Sequence, residues 1–348
     1  MTPSPAPPSC HRLSLGPVAL RFSPRRLAAL ALLATVLLMS LIAALATGSG
    51  RAGIADVLVF FTGGQGAAPL SVVGDLRLPR VLMAILCGAM LGLAGAALQT
   101  LTRNGLADPG LLGVREGASV AVVCLMLAYP TAPLIMRPVV GMVGGFAVAI
   151  LVLMIARSTS GMRFILVGIG LSWLLSAILA MILTAVEVDR IQAAMVWMAG
   201  SLSSVQTDML PIAAASLVLG AAALTVTARA ADTSLLGDAV ATGLGVRLRL
   251  LRIASLAAPI LLTAAAVSCV GGIGFVGLIA PHMTRFLIAG GQGSLLAGSG
   301  LLGALMVLIA DTLGRTLFAP LQIPAGIVLS IIGVTLLVGL LWRRRNQL

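Results

Sequence analysis

Lysine is absent: all 22 basic residues are arginine. A phosphate-binding loop ending in Gly-Lys-Ser/Thr is therefore excluded, as is Schiff-base lysine chemistry. Any ATP used on behalf of this chain is hydrolysed by another one. Charge is scarce as well, at 9% of residues, against about 25% in ordinary soluble domains. Aromatic residues make up 3%, too few to interleave with the arginines as base-stacking partners, which speaks against nucleic acid despite the net charge of +12. Cys10, Cys87, Cys124 and Cys269 are widely scattered, and three of them lie in apolar blocks. No disulfide framework or metal site is indicated, and the lack of a carboxylate pair or Cys/His cluster argues against a membrane metalloenzyme. Catalysis and directly bound cofactors are not expected.

What remains is overwhelmingly apolar: 59% hydrophobic residues and a mean hydropathy of +1.14. Such a chain uses lipid as its solvent. A crossing takes roughly 20 apolar residues, so about ten would consume most of the 348 residues. Blocks such as 164–186 are apolar on every face, which disfavours the alternating pattern of a β-barrel. The expected class is all-α and polytopic.

Residues 1–26, rich in Pro, Ser and Arg, read as a disordered cytoplasmic leader. The segment 27–47 reads as an uncleaved first span. Further blocks run at 81–101, 111–129, 138–156, 164–186, 209–228, 253–289, 294–314 and 325–342. The block 253–289 would make a straight helix of about 55 Å, nearly twice the hydrocarbon thickness, so it is expected to fold back at Gly271, Gly272 and Gly274 into a short or broken span. That gives ten crossings. Arginines near both termini place both ends inside, which requires an even number, and the resulting distribution of 16 inside to 6 outside agrees. Spans 2–5 and 7–10 then have opposite sense, suiting an inverted repeat.

Secondary transporters carry ionisable groups near mid-membrane, whereas these spans are almost bare. Arg115 and Glu116 fall toward the inner end of span 3, Asp311 toward the outer end of span 9, and His282 in the broken span, where a hydrogen-bonded histidine beside a proline break is the simpler reading. The longest polar inside segment, 229–252, is expected to hold a short helix capped by Asp238 and ended by a left-handed Gly245. Such a helix can dock a partner or lie in the interface. An ion-coupled secondary transporter and a non-transporting scaffold or receptor remain alternatives at this point.

Two denser motifs narrow the choice. One runs from Leu-Arg-Leu-Pro-Arg at 76–80 through Gly88, Gly92, Gly95 and Gln99 into Arg103, Asn104, Gly105, Leu106, Ala107, Asp108 and Pro109. The other is Gly-Phe-Val-Gly-Leu-Ile-Ala-Pro-His-Met-Thr-Arg at 274–285, holding Pro281, His282 and Arg285. With Trp-Met-Ala-Gly-Ser-Leu at 197–202, the loop at 236–249 and Ile-Pro-Ala-Gly-Ile at 323–327, the chain resembles the FecCD family over about residues 75–342. Members are permease subunits of bacterial ABC importers for iron-siderophores, haem and vitamin B12.

The resemblance implies a permease domain at 27–348, located as a multi-pass protein in the inner membrane. Its implied partners are a second permease subunit, identical or related, cytoplasmic ATPase subunits holding ATP and Mg, and an extracytoplasmic substrate-binding protein. It further implies that Leu236, Gly237, Asp238, Ala241, Leu244 and Gly245 form the coupling helix. Arg77, Arg80 and Arg315 would meet acidic groups of the binding protein, with snorkelling to lipid head groups as the alternative. Ser172, Ser176 and Met181 are candidates for lining the pathway. Where the family has Asn-Pro-Leu-Ala-x-Pro, this chain has Gly105 in place of the first proline, and Gly333-Val334-Thr335 stands where Gly-Ala-Pro is frequent.

Overall fold

The computed structural model describes residues 11–15, 18–48, 53–62, 71–157, 162–186 and 188–344. Among these are thirteen α-helices: α1 (Pro24–Ala46), α2 (Ile54–Phe61), α3 (Leu78–Thr102), α4 (Val114–Ala128), α5 (Met136–Ala156), α6 (Met162–Thr184), α7 (Val188–Met198), α8 (Leu210–Ser234), α9 (Asp238–Gly243), α10 (Leu248–Val270), α11 (Val276–Leu287), α12 (Gln292–Thr316) and α13 (Ala325–Arg344). Seven of them, α1, α3, α5, α6, α8, α10 and α12, are long and apolar enough to cross a membrane. The shorter α4, α11 and α13 stand where the other three expected crossings fall. The chain is a multi-pass helical membrane protein.

The leader differs from its expectation in one stretch. His11–Leu15 and Val18–Phe22 pair as an antiparallel hairpin, with Leu13 opposite Leu20 and Leu15 opposite Val18. The β-branched and apolar residues of the two arms suit a ladder better than the Pro and Arg content of the whole segment suggested. Residues 1–10 and Arg345 lie outside the described residues.

α3 is the spine. α12 runs antiparallel along it because both helices present small residues where they cross. A Cβ on Gly92 would fall 2.0 Å from the Ser299 carbonyl oxygen, and one on Gly88 would fall 2.3 Å from that of Gly303. At the far end Arg80 of α3 meets Asp311 of α12. On another side α10 rises antiparallel to α3, bringing Ala266 to Cys87.

The long apolar block breaks where expected. α10 stops at Val270, Gly271 takes a left-handed φ of 79° against the Trp197 carbonyl, and α11 begins at Val276. By Gly277 the chain has come back to the level of Gly95, so α11 descends beside the lower half of α3 rather than prolonging α10. The loop after α3 also re-enters the bundle. Pro109 packs on Gly277, which sets α4 starting about 10 Å above the end of α3, since Gly95 lies seven residues before Thr102. This accounts for the 15-residue length of α4. The short helices α2 and α7 had no counterpart in the span pattern because neither approaches membrane length.

The α3–α12 contact predicts opposite signs for two glycine substitutions. Gly92→Ala has no room for its methyl group and should destabilise the protein by roughly 1–3 kcal/mol. Gly170→Ala, on α6 with nothing within 4 Å, should gain up to about 1 kcal/mol from helix propensity. Thermal unfolding of the detergent-solubilised variants measures both; equal shifts would show that the glycine contact does not hold the spine together.

Candidate translocation and coupling site

The two densest sequence motifs meet at Gln99. Pro281 within α11 has no N–H, so the Gly277 carbonyl four residues earlier loses its helical donor. Gln99 of α3 supplies a substitute. Its Nε2 donates to the carbonyls of Gly277 at 3.4 Å and Leu278 at 3.2 Å, while its Oε1 accepts from Arg285 Nη1. One amide thus registers the broken helix against the spine at both its start and its last turn. His282, half-buried on the same helix, stands edge-on to Phe286 with ring centroids 5.2 Å apart.

One helical turn further, α3 ends in a pair of closing hydrogen bonds, Asn104 N–H to Gln99 O and Arg103 N–H to Thr100 O. Arg103 takes the left-handed position that glycine normally fills, at φ 51°. From there its guanidinium donates to Ser234 O at 2.8 Å and to Asp238 Oδ1 at 3.4 Å. Asn104 Oδ1 accepts from Leu106 N–H, and Asp108 Oδ1 accepts from Gly110 N–H to cap the turn Pro109–Leu112. Gly105 therefore sits in a turn closed by Asn104 without help from a proline.

The predicted short helix is present as α9. It ends as expected, with Gly245 at φ 84° and the paired bonds Gly245 N–H to Thr242 O and Val246 N–H to Ala241 O. Its start differs. Gly237, at φ 107°, is the cap residue, and Asp238 makes no capping bond. The Asp238 carboxylate instead lies between Arg103 of α3 and Arg252 of α10, a stronger claim on it than a backbone amide because both partners are charged. Ala241 is fully buried against its own chain, whereas Leu236 and Leu244 are each 66% exposed and Val240 is exposed with them. The exposed side of this segment is therefore leucine and valine beside the open glycines 237 and 245, and Ala241 belongs to the inner face.

A third grouping lies where the helix break faces α6. Arg115 and Glu116 at the start of α4 form an ion pair at 3.0 Å. They line a cleft of about 460 Å³ with Asp108, Trp173, Ser176 and Gly274. Ser172 also borders it but spends its hydroxyl on Gly168 O at 2.8 Å. Met181 is exposed further along α6, outside the cleft. The re-entrant loop carries Arg115 and Glu116 well above the end of α3, deeper than their place at a span boundary suggested.

At the other end of the bundle the three outer arginines turn inward. Arg80 grips Asp311 with Nε at 3.1 and 3.0 Å and Nη2 at 2.8 Å, and donates through Nη1 to Gln322 at 2.8 Å. Arg77 and Arg315 are 5% and 6% exposed. Arg77 donates to Leu45 O at 2.7 Å, and Arg315 donates to Ala44 O and to Thr47 O at 2.7 Å. The carbonyls that end α1 have no helical donors, and these two guanidiniums supply them. A rim that greets a partner by charge is not what Arg77 and Arg315 form, and Asp311, the carboxylate that organises the cluster, was not linked to them by the sequence pattern.

The whole arrangement has close counterparts. The FecCD transport family matches residues 36–343. The chain is 35% identical over 300 residues to a probable siderophore transport system permease protein of Bacillus subtilis, covering 84% of this chain and 88% of that one. It is 36% identical to the Fe(3+) dicitrate transport system permease protein FecD of Escherichia coli, covering 79% and 86%, and 35% identical to the hemin transport system permease protein HmuU of Yersinia pestis, covering 78% and 84%. A metal-chelate type ABC transporter solved in an inward-facing conformation superposes with a TM-score of 0.80 at 27% identity, over 90% of this chain and 98% of the other. The chain belongs to the FecCD transport family.

Proposed function

We propose that this chain is the permease subunit of an ATP-driven importer that carries a ferric siderophore or a similar metal chelate across the cytoplasmic membrane. In this reading ten crossings place both termini in the cytoplasm, and two permeases, identical or related, enclose the path. An external binding protein delivers the cargo, and separate ATPase subunits hydrolyse ATP. The observation that carries it is α9, an exposed apolar helix tied by Asp238 to two spans at once. The named relatives support the cargo class, and the haemin permease among them supports haem as a second reading.

The geometry supplies a mechanical route. Closure of two ATPase subunits would displace α9; Asp238 passes that displacement to Arg103 on α3 and Arg252 on α10; and Gln99, one turn above Arg103, makes α11 follow α3. Access then switches by movement of the broken segment against the rest. Nothing in the route requires a proton relay at His282. The decisive experiment is reconstitution of the permease with its ATPase and binding protein in proteoliposomes, with ATP-dependent uptake of radiolabelled ferric chelates. Uptake driven by an ion gradient without ATPase would overturn the proposal.

Two variants separate docking from transmission. Leu236→Asp with Leu244→Asp places charges on the exposed apolar surface and should lower co-purification of the ATPase at least tenfold while the permease still inserts; unchanged recovery would remove α9 from the interface. Asp238→Asn should leave docking intact and cost less than about 1 kcal/mol of stability, because its ion pairs are half exposed. Transport per ATP hydrolysed should nevertheless fall severalfold and recover partly in Asp238→Glu. A coupling ratio equal to wild type in Asp238→Asn would show that Asp238 does not transmit the motion.

A further inference from the structure

The walls of this protein are nearly free of ionisable side chains, which makes the cleft beside the helix break conspicuous. Arg115 and Glu116 sit at interior height because the loop before α4 re-enters the bundle and packs Pro109 onto Gly277, itself against Gly95 of α3. Charged groups at such a height are costly when they face lipid, and they belong to water-filled cavities or ligand paths. Here Arg115 is 41% exposed while Glu116, beneath it, is 11% exposed. On that cost the open side of the cleft is assigned to water rather than hydrocarbon.

The hydrogen-bonding capacity of the cleft is uneven. Each carboxylate has one oxygen on an internal partner: Glu116 Oε1 receives Arg115 Nε and Nη2, each at 3.0 Å, while Glu116 Oε2 is buried without a hydrogen bond, and Asp108 Oδ1 receives Gly110 N–H at 2.7 Å. Arg115 Nη1 is directed instead toward Gly274, where a Cβ would lie 3.5 Å away. The missing side chain at 274 leaves that edge of the guanidinium open to the cleft. Trp173, 77% exposed, forms an aromatic wall at the mouth, and Ser176 is exposed beside it. The neighbouring Phe275 holds a left-handed φ of 66°, the kind of backbone strain that gathers at functional positions.

We infer that this cleft is a cargo subsite on the translocation wall, in which Arg115 donates hydrogen bonds to the oxygen-rich rim of a metal chelate while Trp173 packs against its apolar part. Two carboxylates accompany one guanidinium, so the subsite does not act by attracting anions from a distance. It offers directed N–H donors to carboxylate or hydroxamate oxygens at contact range. Glu116 is a positioning residue that holds the guanidinium edge-on to the cleft. The inference rests on the proposed transport of metal chelates, and it assigns the contact to the wall between α4, α6 and the helix break.

The test uses the purified full-length permease in detergent, in a Trp342→Phe background so that Trp173 dominates the exposed tryptophan emission. Ferric citrate and a ferric trihydroxamate, both oxygen-rimmed, are titrated, with iron tris-bipyridine as a chelate that presents no oxygen. Saturable quenching by the first two is expected, at least tenfold weaker in Arg115→Gln and partly restored in Arg115→Lys; tris-bipyridine quenching should be indifferent to both changes. Gly274→Asp leaves α4 intact and sets a carboxylate against Arg115 Nη1, so it should weaken the oxygen-rimmed chelates to the same degree, and it decides the matter should Arg115→Gln fail to fold. Quenching that is absent in the parent protein, or unchanged by the substitutions, overturns the subsite. Those results leave ATP-dependent uptake by the complete complex as a separate measurement, so loss of the subsite and loss of the importer reading are distinguishable.

Discussion

Inside a bilayer no water is available for a backbone carbonyl that lacks a partner, and this protein contains several places where the helical ladder is interrupted. The described interruptions near the spine are met by side chains, at Pro281 and at the end of α1 by long ones from a different helix and at the re-entrant turn by its own cap residue. Gln99 serves the carbonyls freed around Pro281; Arg77 and Arg315 serve the end of α1; Asp108 serves the amide of Gly110 where the chain re-enters the bundle. An unsatisfied buried group costs about 1–3 kcal/mol, so each of these side chains is fixed in place by the break it repairs. The helices are consequently joined by hydrogen bonds at their irregular points, while elsewhere they meet mainly through small residues and buried apolar side chains such as Met83, Met90, Leu262 and Leu308.

That division explains how a helix such as α3 can act as a spine. Along its length Gly88 and Gly92 press it directly against the backbone of α12, a contact that tolerates little sliding because close-packed backbones have few alternative registers. Its outer end is fixed by Arg80 on Asp311. Its inner end carries Gln99 and Arg103, four residues apart, one holding α11 and the other holding α8 and α9. In the proposed mechanism a displacement delivered at α9 would reach the broken helix through a single turn of α3, with no need for a long chain of intermediates.

Much of this was legible before any coordinates. The fold-back at residues 271–275 followed from length and from its glycines, since a mostly apolar block of 37 residues cannot remain straight within the membrane, and the end of α9 followed from the left-handed habit of Gly245. What resisted reading were the partners of charged side chains. Arg80 and Asp311 are 231 positions apart, and the acceptors of Arg77 and Arg315 are backbone carbonyls, which leave no mark in a sequence. Exposure was therefore the default assumption for arginines near span ends, and it failed for the two that end α1. Ala241 was misplaced for a related reason: a small residue suits close approach on either face of a six-residue helix, and only the packing of α9 on α8 and α10 decides which. The depth of Arg115 was hidden because span boundaries were drawn from hydropathy, which cannot register a loop that climbs back into the bundle.

Arg103 shows why the inner end of α3 departs from a simple helix stop. A left-handed C′ residue is usually glycine, and an arginine there costs about 1–2 kcal/mol. The cost is offset only where the side chain gains something a glycine lacks. From this φ the guanidinium reaches both the last carbonyl of α8 and the carboxylate of α9, whereas a glycine would end α3 equally well and leave α9 attached through Arg252 alone. The half-exposed ion pairs contribute too little to justify the conformation by stability. What the strained position does achieve is a direct tie from the spine to α9 and the end of α8, the link that the proposed transmission of motion requires.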